Sequence, residues 1–109
     1  MKKDYTDYLQ DIMTSVNDIE GFISNQSFEE FKRDKKTVNA VIRSFEIIGE
    51  AARNLPLDIK EQYPDVPWSK MSGMRDRMIH EYFGVDLEII WQTIKEDLSQ
   101  LKKQLASSI

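Results

Sequence analysis

The sequence contains no cysteine and a single histidine among 109 residues. Disulfides, thiolate nucleophiles and Cys-based zinc sites are thereby excluded, and a histidine-rich metal site is too. The absence of cysteine fits a reducing compartment. Only three prolines and four glycines interrupt the chain. No apolar run approaches the ~20 residues that span a bilayer. The start, Met1-Lys2-Lys3-Asp4-Tyr5, leads into polar and acidic residues, not the apolar core of a signal peptide, so a cytoplasmic location without membrane contact is expected. Excess positive charge is also missing: 15 Lys and Arg stand against 19 Asp and Glu, a net charge of −4. This argues against a broad basic surface for gripping nucleic acid and leaves a local basic spot, since a pocket needs only one or two cations against one phosphate.

What remains suits one helical domain spanning 1–109, with 40% apolar residues for a single core and 31% charged residues for its surface. Tyr5, Tyr8, Leu9, Ile12, Met13, Val16, Ile19 and Ile23 recur at three- and four-residue steps, the spacing of one helical face. Gly21 weakens the end of that helix, and Ser24 to Ser27 break it. Ser27 with Glu30 has the form of a capping box for a brief second helix carrying Phe28 and Phe31. Asp34 can cap the next helix, whose apolar face begins beyond Thr37 with Val38, Val41, Ile42, Phe45, Ile48, Gly49, Ala52 and Leu55 before Pro56 ends it. Leu57 to Tyr63 reads as one or two further turns. The prolines of Tyr63-Pro64-Asp65-Val66-Pro67 mark a connection, and a new helix begins near Trp68. Met71, Met74, Met78 and Tyr82 line that helix until Gly84 interrupts it. Asp86 caps a last helix carrying Leu87, Ile90, Trp91, Ile94, Leu98, Leu101 and Leu105, with a frayed tail from Ala106 to Ile109. No segment alternates with period two. The expected fold is all-α: an antiparallel bundle of four main helices plus one or two short ones.

Chemistry concentrates between Arg75 and Tyr82, where Arg75, Asp76, Arg77, His80, Glu81 and Tyr82 fall within eight positions. Histidine transfers protons near neutral pH, and arginine holds a phosphate through two parallel hydrogen bonds. On an ideal helix Tyr82 shares a face with Arg75, whereas His80 lies roughly 140° around from it. A site using both Arg75 and His80 is helped by a loosened helix near His80, or by a second copy of the chain across a two-fold axis. The residue types alone equally allow Arg75 and Arg77 to be surface cations paired with Asp76 or Glu81, His80 to be a favourable charge at a helix end, and Tyr82 and Phe83 to be core aromatics.

The pattern Arg75-x-x-x-x-His80-x-Tyr82 resembles the signature of the HepT-like toxins, a branch of the HEPN superfamily of helical-bundle ribonucleases. The surrounding blocks agree in order and spacing: Ile47-Ile48-Gly49-Glu50-Ala51-Ala52 with Leu55-Pro56, then Val66-Pro67-Trp68, then His80-Glu81-Tyr82-Phe83-Gly84-Val85-Asp86 with Trp91. The resemblance runs from about Asp4 to Leu101, and Ser99 stands where many relatives carry proline. It implies a HEPN-like bundle that cuts RNA without metal or cofactor, with Arg75 and His80 as catalytic residues and Asp76 in a supporting role. It further implies a homodimer with the two motifs facing one cleft. As the toxin of a type VII-like toxin–antitoxin system, the chain would be neutralised by an MntA-like nucleotidyltransferase antitoxin that attaches AMP to Tyr82. The competing function is a non-catalytic helical module that dimerises and binds a nucleotidyltransferase or a nucleotide. A plain structural bundle is the third.

Overall fold

The computed structural model describes residues 4–73 and 86–106, and these fold as an all-α bundle with no strand among them. The first helix, α1 (Tyr5–Phe22), starts at a capping box in which the Asp4 carboxylate accepts from the Asp7 N–H and Asp7 Oδ2 accepts from the Asp4 N–H at 3.2 Å, while the Asp4 carboxylate also accepts from the Thr6 N–H at 2.6 Å. These bonds satisfy N–H groups that the first helical turn leaves without partners. Its buried face is Leu9, Ile12, Ser15, Val16 and Ile19, while Tyr5 is exposed and Tyr8 and Met13 are half-buried. Gly21 does not stop the helix, which closes one residue later when the Ile23 N–H bonds to Ile19 O and buries the Ile23 side chain.

The capping box read from Ser27 and Glu30 is present and opens the short α2 (Phe28–Arg33). Asp34 then ends α2 and begins α3 (Lys35–Asn54), accepting from Thr37 N at 3.1 Å and Thr37 Oγ1 at 2.6 Å. The helix therefore starts three residues before its first buried apolar side chain, Val38, because the cap and not the hydrophobic face sets the boundary. Val38, Val41, Ile42, Phe45, Ile48, Ala51 and Ala52 are buried along α3, which packs extensively against α1. Ser44, also buried, returns its hydroxyl proton to Ala40 O at 3.0 Å, so its burial leaves no unpaired donor.

Pro56 begins the five-residue α4 (Leu57–Glu61), of which only Ile59 is buried. Residues 68–73 form α5. Asp86 caps α6 (Leu87–Thr93) through the Glu88 N–H at 2.9 Å, and a π turn (Ile94–Leu98) joins it without a break to α7 (Ser99–Ala106). Ile90, Ile94, Leu98, Leu101 and Leu105 form one buried stripe along this last helix. Two aromatic contacts fix α2 on it: the Trp91 ring lies 5.9 Å from Phe28 and 5.2 Å from the fully buried Phe31. The expected stack of Met74, Met78 and Tyr82, the Gly84 break and the tail from Ser107 lie outside the described residues; Met71 is buried, and Ala106 ends α7.

Candidate functional site

Arg75, Asp76, His80 and Tyr82 all lie in residues 74–85, outside the described residues. What the structure defines is how the chain on both sides of that segment is anchored.

On the N-terminal side, the prolines and aromatics of the connection build a rigid entry to α5. Trp68 directs its indole N–H at two carbonyls together, Lys60 O and Tyr63 O, each at 3.1 Å. The Tyr63 ring meets the Trp68 ring edge-on at 6.4 Å. A half-buried indole whose one donor is satisfied twice has little freedom to turn. Val66 is buried beneath, and the Met71 N–H bonds back to Pro67 O at 3.0 Å, the first i to i−4 bond of α5. Met71 itself is 3% exposed, and with Lys70 it borders a recess walled by Phe45, Ile48, Leu98 and Leu101. Lys70 then reaches across to the π turn, its ammonium 2.8 Å from Asp97 Oδ2.

On the C-terminal side the chain re-enters at Asp86, whose carboxylate caps α6 and whose carbonyl accepts from Ile90 N at 3.1 Å. Leu87 and Ile90 then carry the chain into the core. The described chain enters this segment from α5 and leaves it at α6, with three residues between Met71 and Arg75 and five between His80 and Asp86.

A second feature was not singled out by sequence periodicity as a site. The block Ile47 to Ala52 divides between two environments: Ile48, Gly49, Ala51 and Ala52 are buried, whereas Glu50 is exposed and Ile47 half-buried. Ile47, Glu50 and Asn54 of α3 line a groove with Tyr8 and Asp11 of α1, floored by Ala51. The signal for it was present as the i, i+3, i+7 spacing of Ile47, Glu50 and Asn54, which sets them on one stripe.

Among the described residues three carboxyl groups are held below their usual range, all by capping. The Thr6 hydroxyl and N–H act on Asp4, the Ser27 N–H and hydroxyl on Glu30, and the Thr37 hydroxyl and N–H on Asp34. They mark helix starts and not a catalytic acid. Among the described residues no group of three or more His, Cys, Asp and Glu is arranged to hold a metal ion, and no helix is long and apolar enough to cross a membrane.

Comparison with known proteins gives these anchors a context. The Ribonuclease HepT-like family model matches residues 12–108. A Thermococcus cleftensis protein named "Probable ribonuclease HepT" is 51% identical over 102 residues, covering 94% of this chain and 93% of that one. A candidate RNase of Methanocaldococcus jannaschii is 50% identical, covering 85% of this chain and 77% of its own length. A candidate RNase of Caldanaerobacter subterraneus is 44% identical over 90% of this chain and 88% of its own. No solved structure gives a significant match. With a family model spanning nearly the whole chain and relatives matched over most of their length, the chain belongs to the HepT-like ribonuclease family.

Proposed function

We propose that this protein is a metal-independent endoribonuclease that acts as the toxin of a toxin–antitoxin pair, with Arg75 and His80 as its catalytic residues. The observation that carries the reading is membership of the HepT-like ribonuclease family over residues 12–108, with Arg75-x-x-x-x-His80-x-Tyr82 inside the matched span. The anchoring of α5 and α6 on either side supports it, since catalytic side chains need a rigid frame.

The reaction is an internal transesterification. His80 takes the proton of a ribose 2′-hydroxyl, and the freed oxygen attacks the adjacent phosphorus. The bond from phosphorus to the 5′-oxygen breaks, and that oxygen leaves as a 5′-hydroxyl once protonated. The other product is a 2′,3′-cyclic phosphate. General acid–base help of this kind contributes about 10²–10⁴-fold. Arg75 stabilises the negative charge that grows on the phosphoryl oxygens, and fixed positive charge of this sort supplies much of the acceleration in such reactions. Asp76 supports the pair by orienting one of them.

Two copies of the chain form the working unit, each motif facing the other across a two-fold axis. Regulation acts on Tyr82, which accepts AMP from a nucleotidyltransferase antitoxin. A phosphate attached there competes with the RNA phosphate for Arg75 and repels the backbone.

The test is His80→Ala and Arg75→Ala, each assayed on RNA beside the parent with and without chelator. Loss of cleavage with unchanged melting and unchanged partner binding supports the enzyme over a non-catalytic binding module. Parent activity that chelator abolishes removes the metal-free mechanism.

A further inference from the structure

The positive charge of this acidic protein is unevenly placed. Lys32-Arg33-Asp34-Lys35-Lys36 puts four of the 15 Lys and Arg residues within five positions, at the corner where α2 turns into α3, and all four cations are exposed. Of the neighbouring acids, two serve as helix caps and one lies beside Lys32. Asp34 accepts from Thr37 and from Gln26 Nε2 at 2.9 Å, Glu30 accepts from the Ser27 N–H at 3.0 Å, and Glu29 lies 3.5 Å from Lys32. Arg33, Lys35 and Lys36 form no ion pair with any described residue.

Beside this corner stands a half-buried aromatic pair, Phe28 and Trp91, with ring centroids 5.9 Å apart. Each ring carries an ammonium: Lys32 Nζ is 5.3 Å from the Phe28 centroid and Lys95 Nζ 4.9 Å from that of Trp91. Cation–π contacts at exposed sites are weak, whereas a base stacked on an aromatic ring is held more firmly. A phosphate can draw the lysines off the rings and leave the ring faces to a base. Aromatic rings bordered by exposed cations are the combination that tracks a single nucleic-acid strand without reading its sequence. Elsewhere the net negative charge repels a polyanion, which favours approach at this corner. Its place in the chain is also suited, since Trp91 lies five residues beyond Asp86, about 7.5 Å along the helix from the point where the segment containing His80 rejoins the described structure.

We infer that the α2–α3 corner, with Lys32, Arg33, Lys35, Lys36 and Lys95 around Phe28 and Trp91, is a binding surface for the sugar–phosphate backbone of single-stranded RNA. It rests on the ribonuclease reading and adds to it where the strand is held outside the cut.

The test compares two double variants that lose the same charge: Lys35→Gln/Lys36→Gln at the corner, and Lys102→Gln/Lys103→Gln on α7. Binding is read by fluorescence anisotropy with a labelled 12-nucleotide 2′-O-methyl RNA, which lacks the attacking hydroxyl and is not consumed, and folding by circular dichroism. The corner variant is expected to bind roughly tenfold more weakly near 0.1 M salt, with the slope of log Kd against log salt reduced by about 1.4, the value for two lost phosphate contacts on a single strand. The α7 variant should bind like the parent. Equal weakening by both variants would mean that net charge alone matters. Unchanged binding in the corner variant also overturns the assignment and points to an acidic protein surface as the corner's partner. Cleavage of an ordinary RNA by the parent is measured separately: its absence refutes the ribonuclease reading, while the anisotropy still decides the binding surface.

Discussion

Lys70 and Asp97 join α5 to the π turn of the last helix through a contact of 2.8 Å between ammonium and carboxylate. Both side chains are substantially exposed, at 59% and 41%, and a pair in that setting contributes about 0.2–1 kcal/mol. One position further, Met71 is 3% exposed, and truncating a buried side chain of its size costs about 2–5 kcal/mol. Packing and not the ion pair therefore holds α5 in place. A double-mutant cycle on Lys70→Met and Asp97→Asn should give a coupling below about 1 kcal/mol that shrinks with added salt, whereas Met71→Ala should cost several times more in urea unfolding. A coupling comparable to the Met71→Ala loss would reverse that ranking.

The pH dependence of stability should carry the signature of Asp34. The hydroxyl and N–H of Thr37, then Gln26, favour its charged form, so its folded pKa lies below the ordinary carboxylate value. A group depressed in this way contributes stability that is fully present above its unfolded pKa, near 4, and that is lost as pH falls through the folded pKa. Asp34→Asn keeps an N-cap acceptor, so it should melt close to the parent at neutral pH yet lose less on acidification. Asp34→Ala should melt a few degrees lower at neutral pH. Thermal melts from pH 7 to 3 decide this, and an Asn variant as acid-sensitive as the parent would assign the effect to other carboxylates.

How much of this was legible in the sequence depended on the kind of signal. Local chemistry with a strict geometry was readable: Ser27 with Glu30, Asp34 before α3, Pro56 and Asp86 all sit where their capping or breaking roles require. The buried stripe of the last helix followed from its three- and four-residue steps. Those same steps concealed the π turn, because Ile90, Ile94, Leu98, Leu101 and Leu105 fit an unbroken α-helix. Asp4 with Asp7 was missed as a capping box, since the usual sign of such a start is Ser or Thr followed by Glu or Gln. For the site, residue types named Arg75 and His80 but left surface ion pairing equally open, and only the joined blocks from Ile47 to Trp91 favoured chemistry. The groove of Tyr8, Asp11, Glu50 and Asn54 depends on how α1 meets α3, which no single helix's pattern encodes.

Assembly provides the next expectation. Arg75 and His80 are five positions apart, roughly 140° around an ideal helix, so one straight helix does not bring both to one phosphate. A two-fold pair supplies the missing partner from the second copy. Light scattering at micromolar concentration should give twice the chain mass of 12.8 kDa. A mixture of Arg75→Ala and His80→Ala chains should then recover part of the activity, because one composite site in a mixed dimer keeps both groups. A strictly monomeric protein that still cleaves RNA would dispose of the shared cleft.

Tyr82 carries the sharpest expectation, since it is the residue on which regulation should act. It falls seven positions after Arg75, nearly two full helical turns, so on a continuous helix a group attached to its hydroxyl would share the face of the guanidinium. AMP attached there adds a phosphodiester charge that Arg75 can bind, which removes the cation from the RNA phosphate and raises a negative barrier at the cleft. The contrary expectation is an aromatic that only packs, as Phe31 and Phe45 do in the core. Tyr82→Phe separates the two because it keeps the ring and removes only the nucleophilic oxygen. The variant should fold and cut RNA like the parent, and it should escape neutralisation by a nucleotidyltransferase of the MntA type. Mass spectrometry of the parent co-produced with that enzyme should show one added AMP on the peptide containing Tyr82. AMP found only on another residue, such as Tyr63, or full neutralisation of the Phe variant, would remove Tyr82 from the switch.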